Sequence, residues 1–138
     1  MHITFTPFEP TMKSTQFFLT GLSLLTAFAC SGARAELIEI KWSESGRFDY
    51  RAPIAARKFV EICGALNKDQ TIAWSFKAEQ PVNFNIHFHA GEQVTYPAKV
   101  EGAGSASGQL KPVSDQDYCW MWSNKTDKPL DLTLSLQK

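Results

Sequence analysis

Clustered positive charge is missing from this sequence. Lysine and arginine number 14, aspartate and glutamate number 14, and no basic run stands out. A nucleic-acid partner is therefore excluded, because such proteins carry a basic patch or stripe. No apolar run reaches the roughly 20 residues that a membrane-spanning helix needs. Cysteine and histidine are scarce, three of each, too few for a disulfide-dense scaffold or a multi-cysteine zinc framework. No G-x-S-x-G nucleophile context occurs. The carboxylates stand one by one, and the nearest pair, Asp115 and Asp117 around Gln116, reads as solvated turn residues. No catalytic residue is assigned, and a non-enzymatic role is expected. Helical stripes are missing as well; "PIAARKF" (53–59) has room for one turn at most.

What is present begins with an export signal. Lys13 supplies a positive start, Phe17 to Ala29 form an apolar run, and Ala33-Arg34-Ala35 fits a small-x-small cleavage site. These are the three parts of a secretory signal peptide. Residues 1–11 lack signal character, so Met12 is the expected initiator, with cleavage after Ala35. The alternative is a lipid anchor on Cys30, which follows Ala27-Phe28-Ala29 at the end of the apolar run. Residues 36–138 then form one domain with one modest core. Removing Lys13, Arg34 and Glu9 leaves 12 basic against 13 acidic residues. The expected location is periplasmic or secreted, with no membrane span in the mature chain.

From residue 36 onward the apolar pattern has a period of two. "LIEIKW", "GRFDYR", "KFVEICG", "TIAWSFKA", "VNFNIHFH", "QVTYP", "DYCWMWSN" and "LDLTLSL" each alternate or nearly so. Turn signals such as "SESG", "LNKDQ", "EQP", "AGE" and "TDKP" separate most of them. Eight or so short strands at this spacing predict an all-β fold, a single antiparallel sandwich of jelly-roll-like type. The Gly/Ser/Ala run "GAGSASG" (102–108) is expected to be a flexible hairpin or loop tip.

Two cysteines outlast cleavage, Cys63 and Cys119. An even count in an oxidising compartment points to one disulfide between them. A loop of that length contributes about 4 kcal/mol by the chain-entropy estimate.

The segments "FVEICG", "TIAWSFKAEQPVNFNIHFH" and "DYCWMWSN" together resemble the GOLD (Golgi dynamics) domain, a compact β-sandwich. Its cargo-receptor branch joins an early cysteine to a cysteine in a late Tyr- and Asn-containing strand. Cys63 and Cys119 occupy comparable places, and Tyr118 to Asn124 echo the late strand. Here, however, the cysteine directly follows the tyrosine, and the coiled coil and membrane tail of that branch are lacking. The resemblance covers about residues 58–137 and implies a sandwich fold and binding of protein or lipid, but not cargo sorting.

The candidate site starts from "PVNFNIHFHAG". Val82, Phe84, Ile86 and Phe88 share one face of a strand; Asn83, Asn85, His87 and His89 share the other. On the late strand, Tyr118, Trp120 and Trp122 oppose Cys119 and Met121. If Cys119 faces inward, the three rings form an exposed platform; if the tryptophans fill the core, the disulfide lies outside. The expected binding face is Asn83, Asn85, His87 and His89 with Tyr96, Tyr118, Trp120 and Trp122, facing a protein, lipid or glycan. A different class of function uses the same histidines for copper or zinc, with Glu92 and Met121 completing the set, since imidazole and thioether ligands suit such ions. "NKT" (124–126) matches a glycosylation acceptor, which counts only in a eukaryotic secretory pathway.

Overall fold

The computed structural model describes residues 36–138. The signal peptide, the Met12 start and Cys30 lie outside the described residues. Seven strands follow in order: β1 Glu36–Glu39, β2 Arg47–Ile54, β3 Phe59–Leu66, β4 Ile72–Ala90, β5 Gln93–Leu110, β6 Gln116–Ser123 and β7 Leu130–Gln137. No described helix is long and apolar enough to cross a membrane.

Strand β4 organises the fold. Ile72, Trp74, Phe76 and Ala78 in its first half are buried, and so are Val82, Phe84, Ile86 and Phe88 in its second. Between them Glu79, Gln80 and Pro81 are exposed. Pro81 has no N–H to give to a ladder, and the pairing with β5 shifts register between Lys77 and Val82. On one edge of β4, Ala73–Ala78 pair with β7 and Asn83–His87 pair with β6, both antiparallel. Strand β5 follows the other edge along both halves.

The hydrogen-bonded path β1-β3-β6-β4-β7-β2 is therefore curled into two layers, with β4 and β5 contributing to each. The layers meet through aromatic rings. Trp74 lies 5.0 Å and Phe76 4.8 Å from Phe84, centroid to centroid. Trp122 stacks on Phe84 at 5.3 Å and meets Phe76 edge-on at 5.8 Å. From β7, Leu130, Leu132, Leu134 and Leu136 complete the core, and Ile62 and Leu66 join it from β3. The all-β sandwich class holds, and Cys63 and Cys119 form the expected disulfide.

Two local expectations change, and one motif match loses its meaning. The fourth and fifth apolar segments are one bent strand, because the inward parity resumes after the bend. Residues 102–108 are part of β5 and not a loop tip. Their small size has a packing reason: a Cβ on Gly108 would come within 2.8 Å of the Trp74 ring, so only glycine lets this strand lie against the indole. Asn124 is 1 % exposed and thus unsuited to carry a glycan. Its Nδ2 donates to the carbonyls of Ile54, Ala55 and Lys128, and its Oδ1 accepts from the Thr126 N–H and hydroxyl. That amide ties together the turns on either side, including Arg57, whose φ of 59° is left-handed.

The inner row of β3 contains one gap, Gly64, which Ile40 fills. Ile40 N–H donates to the Cys63 carbonyl at 2.8 Å, and a Cβ on Gly64 would lie 2.9 Å from the Ile40 Cβ. Gly64→Ala is expected to cost about 1–3 kcal/mol through overpacking. Combined with Ile40→Gly, which removes the clashing Cβ, the loss should fall short of the sum by at least ~0.5 kcal/mol. Urea unfolding of the two single variants and the double variant measures both terms.

Candidate functional site

The burial of the even-numbered residues of β4 places its odd-numbered ones on the outside of the β1-β3-β6-β4-β5 layer. In β6 the same choice runs the other way from the expected platform. Tyr118, Trp120 and Trp122 are all 0 % exposed and point into the core, while Cys119 and Met121 face outward. Two parity sets compete for the inside, and three large rings bury far more apolar area than a disulfide and a thioether. The indole N–H groups of Trp120 and Trp122 find no acceptor among the described residues, so their contribution is packing alone. The Tyr118 hydroxyl sits near the strand end, accepting from the Val113 N–H at 2.9 Å. These three residues therefore leave the binding face.

Outward, register brings a compact group together. Cys63 pairs directly with Cys119, and Cys119 with His87; one step along, Glu61 pairs with Met121, and Met121 with Asn85. The disulfide thus links β3 and β6 on the solvent side, with Cα atoms 4.1 Å apart. His87 reaches diagonally across β6. Its Nε2 lies 2.9 Å from the Glu61 Oε1, and its Nδ1 2.8 Å from the Asn85 Oδ1. The His89 and Tyr96 rings flank it, at 5.5 and 5.9 Å between centroids. Although it lies on an outer face, His87 is only 6 % exposed.

That enclosure controls its charge. Burial pushes the His87 pKa below the ordinary histidine value, the Glu61 carboxylate opposes the shift, and His89 adds to it. At neutral pH the ring is uncharged. With its proton on Nε2 it donates to Glu61, leaving Nδ1 to accept, which the Asn85 amide meets by turning its NH2 group to the ring. A ring with both protons donates to Glu61 and to the Asn85 oxygen. Both nitrogens are engaged in either state.

The other expected residues divide. The Asn83 Oδ1 accepts the Gly102 N–H at 3.1 Å and so holds the β5 bulge. His89 is exposed, and Tyr96 is 53 % exposed. Glu92 sits exposed in the two-residue β4–β5 turn with Gly91, whose φ of 64° suits a tight hairpin. Among the described residues the His, Cys, Asp and Glu donors that converge are Glu61, His87 and Cys119, all within 4.8 Å of one another; His89 and Glu92 are not in that group, and Met121 faces outward on β6 beside it. Cys119 sulfur is committed to the disulfide. Glu61 is the residue that sequence reasoning missed. Its signal was available, since "EIC" places Glu61 on the face of Cys63.

Beside this group lies a shallow depression of about 470 Å³, lined by Leu37, Glu61, the two cysteines, Asp117 and His89. Leu37 is 67 % exposed on one flank. On the other, Val94 pairs with His89 across the hairpin and joins Tyr96. The face therefore carries exposed apolar side chains on its two outer strands, Leu37 on β1 and Val94 with Tyr96 on β5, while Glu61 and Asp117 line the depression.

No protein-family model matches this chain, and no curated protein does. Solved structures do. Aeromonas hydrophila PliG, described as a periplasmic lysozyme inhibitor of g-type lysozyme, aligns with a TM-score of 0.53 at 12 % identity, over 75 % of this chain and 98 % of its own. The pre-peptidase C-terminal domain of a Bacillus anthracis collagenase aligns with a TM-score of 0.53 at 14 % identity, over 75 % and 95 %. Salmonella Typhimurium PliG gives 0.52 at 7 % identity, over 75 % and 98 %. At these identities the likeness is one of fold.

The depressed His87 pKa sets a direction for stability against pH. The unfolded chain takes up a proton near the ordinary value of 6.5, while the folded chain takes it up only at lower pH. Below 6.5 the unfolded state binds more protons, so stability falls with pH until the folded group also titrates. Urea midpoints at about pH 7.5 and about pH 5.5 should drop for the wild type and drop less for His87→Gln. An equal drop in both would mean that other groups carry the effect.

Proposed function

We propose that this chain is an exported, non-enzymatic module that binds another protein through the outer face of the β1-β3-β6-β4-β5 layer. The observation that carries this reading is one outer face with exposed Leu37, Val94 and Tyr96 and an open depression lined by Leu37, Glu61, His89 and Asp117. Exposed aromatic and aliphatic side chains ringed by polar groups are the composition of protein-binding surfaces. His87 supports this face by pinning β4 to β3 across β6, and with both nitrogens occupied it is built to hold the face in shape. Asn85 serves the same purpose.

Other features agree with this reading. The signal peptide expected over residues 12–35 makes the mature domain begin after Ala35 and places it in the periplasm or outside the cell. The GOLD resemblance implies protein or lipid binding. The two PliG neighbours are periplasmic and inhibit a protein, g-type lysozyme. A g-type lysozyme is therefore the partner we assign, and its direct contact with the face that carries Leu37 and Tyr96 is the testable content.

Titrating the mature chain against an immobilised g-type lysozyme is expected to show saturable binding. Tyr96→Ala and Leu37→Glu should each weaken it by about 5–30-fold, the range of a buried anchor residue. Thr133→Ala, exposed on the other layer, should leave it unchanged. No binding would sink the lysozyme assignment, and equal binding by all variants would place the interface elsewhere.

A further inference from the structure

One edge of the sheet is left open by the fold and plays no part in the protein-binding face. Strand β5 pairs with β4, and no other described strand takes its far edge. We propose that this edge, over Ala103–Gln109, pairs antiparallel with the same segment of a second copy of the chain, about a twofold axis at Ala106. This inference is independent of the protein-binding reading.

Sheet edges are normally guarded by shortness, charge, proline or a bulge, because an unguarded edge is a template for another strand. The other edges here are guarded. Strand β1 has only 4 residues. Strand β2 carries Arg47, Asp49, Arg51 and Pro53. The first half of β5 carries Pro97, Lys99 and Glu101, and its run ends at Gly102, whose φ of 67° departs from extended backbone. The second half has none of these devices. Ala103 to Leu110 contains no charge and no proline, and Ser105–Leu110 pair with Ile72–Lys77 without a register shift. Alternate residues of this regular stretch turn their N–H and C=O away from β4, ready for a further ladder.

The open stretch fits itself. Residues 104–108 read Gly-Ser-Ala-Ser-Gly, the same in both directions. Antiparallel pairing about Ala106 sets Gly104 opposite Gly108 of the second copy, Ser105 opposite its Ser107, and Ala106 opposite its Ala106. An isologous interface requires this reciprocity. Ser105 and Ser107 are exposed on the outer face, where facing hydroxyls hydrogen-bond across strands. Ala106 turns inward against the core. The same register sets Glu101 opposite Lys111 of the second copy, and Lys111 opposite its Glu101. Both residues are exposed, so an opposite-charge pair closes each end of the palindrome. This charge match selects a second copy over an unrelated strand, and it fixes the register, since a slip separates the charges. The β2-β7-β4-β5 layers of two copies then become one continuous sheet. Pairing at a strand edge buries less than the about 1,200 Å² of a stable complex, so the dimer is weak and depends on concentration.

Sedimentation velocity of the mature chain between about 10 μM and about 1 mM is expected to show a reversible monomer–dimer equilibrium. Ser105→Glu combined with Ser107→Glu sets carboxylate opposite carboxylate across the axis and should weaken the dimer by about 10-fold or more. Ser105→Lys combined with Ser107→Lys should do the same. An equimolar mixture of the two doubly substituted chains should dimerise again, because each carboxylate then faces an ammonium group. The near-ultraviolet signal of the buried tryptophans reports whether each variant is folded. Amide exchange in the wild type gives a reading that needs no variant: outward amides between Ala103 and Gln109 should slow at about 1 mM relative to dilute solution, while those of β2 keep their rates. A wild type that stays monomeric at about 1 mM would overturn the proposal. So would a dimer that survives both double substitutions, a mixture of folded variants that stays monomeric, or exchange in Ala103–Gln109 indifferent to concentration.

Discussion

Everything in this molecule depends on a single strand that folds its apolar face onto itself. The two halves of β4 present the same parity, and the exposed residues Glu79–Pro81 let the strand bend so that Trp74 and Phe76 meet Phe84. Each half then recruits its own partner on one edge, β7 for the first and β6 for the second. Two layers arise from one continuous ladder. The aromatic contacts at the fold of β4 are thus both core and hinge, and truncating a ring there removes about 3–5 kcal/mol, a large share of a small domain's stability.

The same constraint shapes the outer face. Once Trp120 and Trp122 are needed to fill the space against Phe84, Cys119 has to face solvent. The disulfide follows it outward, and register delivers His87 and Glu61 to either side. A buried imidazole on an outer surface is an uncommon outcome. It arises here because the disulfide, His89 and Tyr96 cover the ring while Glu61 and Asn85 satisfy its nitrogens. The surface is consequently rigid at its centre and apolar at its flanks, the arrangement that suits a binding face whose shape must persist without a ligand.

Much of this was legible in the residues. The alternation in "TIAWSFKA", "VNFNIHFH" and "LDLTLSL" identified the strands and their buried faces, because a period of two with large apolar residues has one stable use beside a core. The Cys63–Cys119 pair followed from count and compartment. Two things were not legible. The side taken by Cys119 depended on which of two plausible parity sets fills the core, a comparison of areas across strands far apart in sequence. The alternation in "EIC" put Glu61 on the face of Cys63, but its meeting with His87 depended on the register in which β3, β6 and β4 pair. The glycine-rich run of β5 misled for a related reason. Local flexibility says loop, yet the neighbouring Trp74 ring demands a strand without side chains at Gly108.

The central claim is that β4 belongs to both layers and binds them into one cooperative unit. Native-state amide hydrogen exchange tests it directly. The ladder amides of β4 between Ala73 and Lys77, paired with β7, and between Asn83 and His87, paired with β6, should exchange with the same free energy, that of global unfolding. Distinct opening free energies for the two segments, with one layer exchanging while the other stays protected, would contradict it.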